Sequence, residues 1–485
     1  MARAMPPFVA YRPRRGGDAA ARAARTGETG RPAAHPTGMS DTKRILVLGG
    51  GFAGVYAAMA LERRLSRRRD VAITLVSRDN YFLFTPMLHE VAASDLDVTH
   101  IVNPIRKLLK RASFHQGEVT AIDLAARTVT VQHGAEAPHG HDLPFDHLVL
   151  ALGSSTNFFG TPGAAELAFP MRTLGDALAL RNRVLQSLEE ADSECCAETR
   201  AGLLNFVVTG GGFAGVETVG AIHDYVQESL RFYRNLQPAD VRMLLVHSGS
   251  TLLPELDGKL GRYAEQVLRA RGVEIRLGTK VASIDGDGLQ LSDGERLPCR
   301  TLVWAAGNAP HALLGTLPCA KERGRVCVDP FLAVAGHEGV WALGDCALVP
   351  DPRTGGHHPP TAQHASRQAK VVAANVAAAL GHGRRRPFSF RTLGQLASIG
   401  RRAGVAQIFG MRFSGFLAWW MWRTIYLAKL PRLERKLRVA LDWTLDLFFS
   451  KDLVQSPTGG GPPLGQARRL ATARPAPEAP LAGVR

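Results

Sequence analysis

Two short loops in this sequence have the residue types and spacing needed to bind phosphate groups. The letters GGGFAGV occur at residues 49–55 and again at residues 210–216. The glycines with the G-x-G-x-x-G spacing are Gly49, Gly51 and Gly54 in the first loop and Gly210, Gly212 and Gly215 in the second. In such a loop the first glycine permits a tight turn, the second lets the backbone approach a pyrophosphate, and the third lets helix and strand pack closely. Each loop therefore predicts a dinucleotide held at a helix N-terminus, where free N–H groups face the phosphates.

The segments around each loop are those that would have to position it. Residues 45–48 (ILVL) and 71–76 (VAITLV) are short, apolar and typical of buried parallel strands, with a helical composition between them. The second loop has the same setting, and residues 241–247 (VRMLLVH) form its next strand. We count Phe52 and Ala53, at the start of the first helix, with the cofactor-binding residues. A single loop of this kind is often a turn without ligand, but two copies in this context indicate two dinucleotide sites.

Three further strand ends carry small residues that would lie close to a cofactor. Residues 148–153 (LVLALG) end in Gly153, residues 302–307 (LVWAAG) end in Gly307, and residues 339–349 contain Gly344 and Asp345. In flavoproteins with two dinucleotide sites, the aspartate of such a Gly-Asp pair binds the ribityl chain of the flavin. Two dinucleotides in one chain indicate a flavin and a nicotinamide, since a hydride can pass between them.

With these motifs in this order, the chain resembles the type II NADH dehydrogenases, which are single-subunit NADH:quinone oxidoreductases. The resemblance covers roughly residues 43–455. It rests on YFLFTPML at residues 81–88, on the second loop ending in Glu217, on GDCA at residues 344–347, and on PPTAQHASRQA at residues 359–369. The first and last of these segments are the most specific to the family.

The resemblance implies an α/β fold with two Rossmann-type domains, one for FAD and one for NADH. It implies oxidation of NADH with two-electron reduction of a membrane quinone, ubiquinone or menaquinone, and no proton pumping. By position in the motif, Gln363 and Gln368 would face the quinone, and Glu217 would lie where nicotinamide and flavin meet. Without the family, Gln363 reads as a glutamine on a helix surface.

The sequence departs from the family pattern at three places. Each dinucleotide unit normally ends its second strand with an acid that binds the ribose hydroxyls. In the first unit Ser77 stands at that position and Asp79 follows two residues later, so both are candidates for cofactor binding. In the second unit His247 replaces the acid, which removes a charge that would repel NADPH and leaves NADPH open as a second donor. Arg367 stands where many members have a second glutamine.

The charge of the chain favours an anionic partner surface. The formal net charge is +16 and the pI about 10.0, with basic residues concentrated at the two ends. Nucleic acid and anionic lipid are the two partners that such a balance suits. The sequence has no basic–aromatic recognition motif, so we expect no nucleic-acid binding.

The C-terminal part of the chain contains two segments suited to a membrane surface. Residues 413–430 (FSGFLAWWMWRTIYLAKL) are apolar and aromatic, but marginal in length for a membrane span and interrupted by cations. Residues 432–449 (RLERKLRVALDWTLDLFF) place leucines on one helical face and basic residues elsewhere. We expect a monotopic membrane anchor at the cytoplasmic face of the inner membrane. A pair of core or dimer helices is the alternative.

The motifs divide the chain into six parts. We expect tails at residues 1–42 and 456–485, FAD-binding parts at 43–170 and 325–395, an NAD(P)H-binding part at 171–324, and a membrane-associated part at 396–455.

Other functions remain open alternatives. A sulfide:quinone oxidoreductase would need cysteines placed near the flavin, and Cys327 and Cys346 do not form an obvious pair. A dithiol reductase is excluded by the absence of a C-x-x-C motif. A membrane-tethered redox sensor is the non-enzymatic alternative. We expect no metal site, and we place His357 and His358 in a surface loop.

Overall fold

The computed structural model describes residues 42–134 and 138–455. The tails expected at residues 1–42 and 456–485 lie outside this part of the chain, apart from Thr42. The α-helices of the described chain are α1 (Phe52–Arg64), α2 (Leu88–Ala92), α3 (Ile105–Leu108), α4 (Ala164–Leu167), α5 (Leu174–Ser193), α6 (Ala197–Leu204), α7 (Phe213–Ser229), α8 (Gly258–Ala270), α9 (Ala362–Ala379), α10 (Gly415–Lys429) and α11 (Leu433–Leu445).

The strands are short and belong to several sheets. In chain order they are β1 (Lys43–Leu48), β2 (Val71–Ser77), β3 (Tyr81–Leu83), β4 (Val102–Pro104), β5 (Ser113–Gln116), β6 (Glu118–Asp123), β7 (Thr128–His133), β8 (His139–Pro144), β9 (His147–Leu150), β10 (Ser154–Thr156), β11 (Phe169–Pro170), β12 (Asn205–Thr209), β13 (Arg242–His247), β14 (Val273–Leu277), β15 (Val281–Ile284), β16 (Gly288–Leu291), β17 (Arg296–Pro298), β18 (Thr301–Trp304), β19 (Asn308–Pro310), β20 (Lys321–Glu322), β21 (Arg325–Cys327), β22 (Val340–Ala342), β23 (Ala347–Leu348), β24 (Gly394–Ser398), β25 (Gly404–Ile408) and β26 (Met411–Ser414).

The first sheet is parallel and has the strand order β22-β9-β1-β2-β5. The apolar run of β1 is buried because it lies in the middle of the sheet, with Val47 opposite Leu75 on β2 and opposite Val149 on β9. The strand β22 leads directly into the Gly344–Asp345 turn. The carboxyl ends of β1 and β22 therefore bring the first glycine loop and this turn to the same edge of the sheet.

The second sheet repeats this arrangement with the strand order β11-β18-β12-β13-β14, again parallel. All five residues of β12, the strand before the second glycine loop, are buried. Strand β11 belongs to this sheet, although the sequence analysis assigned residues 169–170 to the first FAD-binding part. The chain passes between the two sheets through β10 and β19, which pair antiparallel.

Smaller antiparallel sheets accompany the parallel ones, and strands β15, β16 and β17 form one of them. Strands β6, β7 and β8 form a meander that follows β5, the edge strand of the first sheet. Strands β24, β25 and β26 form a sheet against which α10 and α7 pack. The sheet of β24, β25 and β26 begins at Gly394. Because α7 of the second glycine-loop unit packs against β24, the C-terminal part is in direct contact with that unit.

The two C-terminal helices are shorter than the sequence suggested. Residues 413 and 414 belong to β26, so the aromatic helix begins at Gly415, and α11 ends at Leu445. Within the described residues, no helix has both the length and the apolar character to cross a membrane. Trp422 of α10 is fully buried against the core, while much of α11 is exposed.

Candidate active site

The two glycine loops adopt the same backbone geometry. Gly49 and Gly210 have φ angles of +110° and +111°, a left-handed region that favours glycine. A side chain at Gly49 would collide with the carbonyl oxygen of Ala151. Each loop is followed at once by a helix, α1 or α7, whose N-terminal N–H groups face outward from the loop.

The second glycine of each loop leaves room for a ligand. A Cβ atom built on Gly51 would meet no atom within 4 Å, and one on Gly212 would meet only the Glu255 carboxylate at 3.8 Å. Gly54 and Gly215 lie directly against the carbonyl groups of Gly49 and Gly210, which requires the absence of a side chain. Open space at a helix N-terminus fits a pyrophosphate, so the residues present fit a dinucleotide at each loop.

Both loops open onto one cavity of about 620 Å³. Phe52 from the first loop and Phe213 and Ala214 from the second line this cavity. The other residues of its wall that matter here are Gly307, Asp345, Glu217, Gln363, Arg367 and Lys429. The volume is within the range of small-molecule and cofactor sites. Of the candidate residues, five line this space: Phe52, Glu217, Gly307, Asp345 and Gln363.

The Gly344–Asp345 turn is fixed from both sides. The Ser154 hydroxyl lies 2.6 Å from the Asp345 carboxylate, and Arg172 donates to that same hydroxyl at 2.7 Å. Gly344 has a φ of +72°, and its N–H donates to Oε1 of Gln368 at 2.8 Å. The carboxylate is thus held at the cavity wall, as binding of a ribityl chain would require. Gly153, just before the linker strand, has a φ of +74° and lies beside the turn.

The two glutamines predicted to face a quinone have different positions. Gln363 lines the cavity, but its amide is bonded to backbone groups of the β24 region, Gly394 O and Leu393 N, each at 3.0 Å. Gln368 is buried and lies outside the cavity lining, because its side chain supports the Gly344 turn. Gln363 therefore faces this cavity and Gln368 does not, while the quinone contacts of both side chains remain predictions.

Two cations lie at the same end of the cavity as Gln363. Arg367 donates to the Gln363 carbonyl at 3.0 Å, and its guanidinium lies 4.1 Å from the ring centre of Phe390. Lys429, at the end of α10, also lines the cavity. Burial lowers the pKa of both groups. From the sequence, Lys429 is only one of the cations that interrupt the apolar run of residues 413–430.

Glu217 is a buried carboxyl group in the cavity wall. Its Oε1 accepts hydrogen bonds from the Trp422 indole N–H at 2.9 Å and from the Ser398 backbone N–H at 3.3 Å. Burial raises the pKa of Glu217 to about 8, although both hydrogen bonds act in the opposite direction. At neutral pH the group is therefore mostly protonated, which makes it a proton donor facing the cavity.

His89 lies behind Glu217 and was not identified from the sequence. Its Nδ1 is 3.8 Å from the Glu217 carboxyl group, and its Nε2 is 3.2 Å from the Ser398 hydroxyl. Burial lowers the pKa of His89 to about 3. The two side chains are therefore both neutral near pH 7, and their contact is not an ion pair. The only available signal was that His89 directly follows the YFLFTPML segment.

A second, smaller cavity of about 40 Å³ lies on the far side of His89. It is lined by His89, Ser398 and the acids Glu90, Asp95 and Asp446, together with Lys451. Burial raises the pKa of Glu90 and of Asp446 to about 7. The space is large enough for a water molecule and has several polar partners for one. Titratable side chains, namely His89, Glu90 and Asp446, thus lie between Glu217 and this second cavity or along its wall.

The residues at the positions expected to bind ribose hydroxyls are Ser77, Asp79 and His247, and the structure shows what each of them contacts. Ser77 lies against Gly50 of the first loop, while Asp79 pairs with Arg78 at 3.4 Å. His247 accepts the Gly211 N–H on Nδ1 at 3.1 Å, so its ring braces the second loop. The Glu255 carboxylate lies 3.8 Å from the Cβ position of Gly212, and it was not identified from the sequence.

The histidine pair predicted to lie in a surface loop is only half exposed to solvent. His357 is exposed, but His358 is buried beside Phe388, so placing both in a surface loop was wrong for His358. Its ring centre lies 5.4 Å from that of His364 on α9. No cysteine of the described chain lines the main cavity. Burial raises the pKa of the Cys346 thiol to about 12, so this group stays protonated.

Comparison with known proteins agrees with this geometry. Residues 43–369 match the pyridine nucleotide-disulphide oxidoreductase family, and residues 393–452 match the NDH2 C-terminal domain. Fold and site together define a flavoprotein with two dinucleotide-binding domains. The type II NADH:quinone oxidoreductase Ndh of Mycobacterium tuberculosis is 34% identical over 438 residues, which cover 87% of this chain and 91% of the relative. NdhA of the same organism is 32% identical over 431 residues, covering 85% and 89%.

The chain belongs to the type II NADH:quinone oxidoreductase family. It is an enzyme that binds FAD, oxidises NADH and reduces a quinone. The structure of NDH2 from Plasmodium falciparum in complex with NADH has a similar fold, with a TM-score of 0.79, 20% identity, and coverage of 85% of this chain and 100% of that one. The sulfide:quinone oxidoreductase of Aquifex aeolicus also shares the fold, with a TM-score of 0.63 and 19% identity.

Proposed function

We propose that FAD lies on the Gly49 loop with its ribityl chain at Asp345, and that NADH docks on the Gly210 loop. The observation that carries this assignment is the single cavity onto which both loops and Asp345 open. FAD, when bound, supplies the ring that accepts a hydride from NADH and passes two electrons to a quinone. The protein orients the two dinucleotides by their pyrophosphates at the N-termini of α1 and α7.

A residue beside the second loop would distinguish NADH from NADPH. Glu255 lies 3.8 Å from the Cβ position of Gly212, on the connection between β13 and α8. A carboxylate at this place would repel the additional phosphate of NADPH, although it comes from a different position than the usual acid at the strand end. We therefore propose NADH as the preferred donor, with His247 bracing the loop rather than contacting the ribose.

The quinone end of the cavity is the end formed by α9, β24 and the end of α10. Arg367 and Lys429 are both partly buried there, and they would stabilise negative charge developing on a quinone as it takes electrons. Gln363 contributes shape rather than a free amide, because both ends of that amide are already bonded. Glu217, which is bonded to Ser398 of β24 and Trp422 of α10, would supply a proton to the quinone, and the His89–Ser398 pair would return one to it.

Purification with flavin analysis tests the overall assignment. We expect a yellow protein that contains FAD and reduces a water-soluble quinone with NADH, and reduces it more slowly with NADPH. The physical reason for the difference is the Glu255 carboxylate beside Gly212. The measurement is the ratio of NADH to NADPH turnover with a ubiquinone and a menaquinone analogue. A colourless, inactive protein that added FAD does not restore would contradict the proposal, and activity with sulfide but not NADH would favour the sulfide:quinone alternative.

We further propose that the exposed face of α10 and α11 rests on the membrane. Leu433, Leu437, Leu441 and Leu445 repeat at intervals of four residues along α11, and each is between 44% and 71% exposed. Phe416, Leu417 and Trp420 of α10 are exposed as well. Such a contiguous apolar surface, with basic residues beside it, is typical of an interfacial helix pair. A quinone with a lipid tail would reach the cavity beside Lys429.

Two substitutions on α11 test membrane binding. Changing both Leu437 and Leu441 to glutamate is expected to lower partition onto anionic liposomes by about 100-fold or more, since each buried leucine contributes roughly 1.5–3 kcal/mol. Turnover with a water-soluble quinone should change little, because the face lies outside the cavity. Liposome co-sedimentation with vesicles containing anionic lipid measures the effect.

A matched control is Phe232→Glu, which changes a comparably exposed apolar residue that belongs to neither of these helices. We expect unchanged liposome binding for this variant. If the α11 variant bound liposomes normally but turned from dimer to monomer in light scattering, the face would be a subunit interface instead of a membrane anchor.

A further inference from the structure

Three histidines from separate strands meet at the edge of the FAD-binding sheet. His115 lies on β5, His133 at the end of β7, and His141 on β8. Each offers a ring nitrogen within 4.8 Å of those of the other two. The ring centres are 4.8 Å apart for His115 and His141, 5.0 Å for His133 and His141, and 5.8 Å for His115 and His133.

The hydrogen bonds of these rings leave ligand capacity unused. The Nε2 atom of His115 is buried and has no hydrogen-bond partner. An unpaired polar atom in such a position costs free energy unless a ligand or ion meets it. A neutral imidazole is the form that binds metal ions.

We propose that His115, His133 and His141 form a binding site for a divalent transition-metal ion, with Zn²⁺ the best match. Imidazole nitrogens suit zinc, nickel and copper, whereas magnesium and calcium require oxygen ligands. Three histidines with a fourth position left to water is a known zinc coordination set. The ring of His139 lies 3.9 Å from that of His133, between ring centres, and is the nearest further imidazole.

The geometry requires only a small side-chain adjustment. Nitrogens bound to one tetrahedral zinc at about 2.0–2.1 Å lie about 3.4 Å from one another. The present separations of up to 4.8 Å must therefore shorten by about 1.4 Å. All three side chains are only partly buried, so rotation about their χ angles can bring them closer.

An ion bound at this position would link strands of two different sheets. His115 pairs with Val76 on β2, one residue before Ser77 at the adenosine end of the proposed FAD site. An ion at the histidines would connect β5, the edge strand of the parallel sheet, to the meander strands β7 and β8. Bound zinc should therefore stabilise the folded protein and hold this edge in place.

Calorimetric titration of the FAD-loaded enzyme with Zn²⁺, after removal of any affinity tag, tests the proposal. We expect stoichiometric binding to the native chain and a zinc-dependent rise in the melting temperature. Exchanging His133 or His141 for alanine should weaken zinc binding at least tenfold. His357→Ala, at an exposed histidine elsewhere, should bind zinc as the native chain does.

Flavin content and the melting temperature without zinc show whether each variant is folded. Both values should match those of the native chain for His133→Ala and His141→Ala, since neither ring is fully buried. The proposal is overturned if the native enzyme binds no zinc, or if a folded variant lacking both His133 and His141 binds it as tightly. Activity with NADH and quinone is not needed for either result, so failure here would leave the proposed function standing.

Discussion

Replacing Gly51 by valine is expected to give a folded but colourless protein without NADH:quinone activity. A Cβ atom at this position meets no protein atom within 4 Å, so the fold itself tolerates the side chain. The branched side chain would instead occupy the space that the FAD pyrophosphate needs at the N-terminus of α1. The measurement is the flavin content of the purified protein, by absorbance, beside its circular dichroism spectrum.

The size of the effect follows from the contacts that would be lost. Two hydrogen bonds from backbone N–H groups to a charged phosphate contribute roughly 3–6 kcal/mol together, which corresponds to an affinity lower by about 10²–10⁴-fold. Because FAD is the redox group, activity should fall with flavin content. Adding a large excess of FAD should restore part of the activity.

The matched variant is Gly212→Val, at the equivalent position of the second loop. Its Cβ would meet only the Glu255 carboxylate at 3.8 Å, so this variant should also fold. We expect it to remain yellow and to lose NADH oxidation through a strongly raised KM for NADH. The assignment of the two loops would be reversed if Gly212→Val were the colourless variant and Gly51→Val the yellow one.

The cofactor loops could be predicted from the sequence because their information is local. Gly49 and Gly210 have positive φ angles, and Gly54 and Gly215 lie against the carbonyl groups of these same residues, so the constraint acts within six residues. A strand and a helix border each loop. Asp345 could also be found, because it follows a short apolar strand directly. For these residues, the sequence signal is a short local pattern of strand, turn and glycine.

The environment of Glu217 could not be predicted in the same way. Its hydrogen-bond donors, Trp422 and Ser398, lie 205 and 181 residues further along the chain, and His89 approaches from the opposite direction. Only the packing of α10 and β24 against α7 brings these groups together. The motif identified the carboxyl group, but its raised pKa depends on burial by a domain that the motif does not include.

Two other differences have local physical causes. The A-Q-x-A-x-x-Q pattern predicted two glutamines at the quinone, but residues five apart on a helix point about 140° apart. Gln363 therefore meets the cavity while Gln368 points to the Gly344 turn. The three histidines of the β5–β8 region are scattered in sequence. Only the antiparallel register of β7 and β8, in which His141 is opposite Val131, places His133 and His141 diagonally on one face.

The proton donor role of Glu217 predicts a large effect for Glu217→Gln. The amide can still accept the Trp422 and Ser398 hydrogen bonds, and it has nearly the same shape, but it cannot give up a proton as an acid. We expect kcat to fall by about 100-fold, at the lower end of the range for general acid catalysis. Stopped-flow absorbance should show enzyme reduction by NADH largely retained and reoxidation by quinone slowed.

The pH profile separates this role from a structural one. Because burial raises the pKa of Glu217 to about 8, the native group is protonated at pH 7, and kcat should fall as pH rises through 8. Glu217→Gln should lack this alkaline limb. Trp422→Phe removes a hydrogen bond that favours the ionised carboxylate, so the pKa should rise further and the limb should move to higher pH. An alkaline limb that is unchanged in both variants would mean that another group supplies the proton.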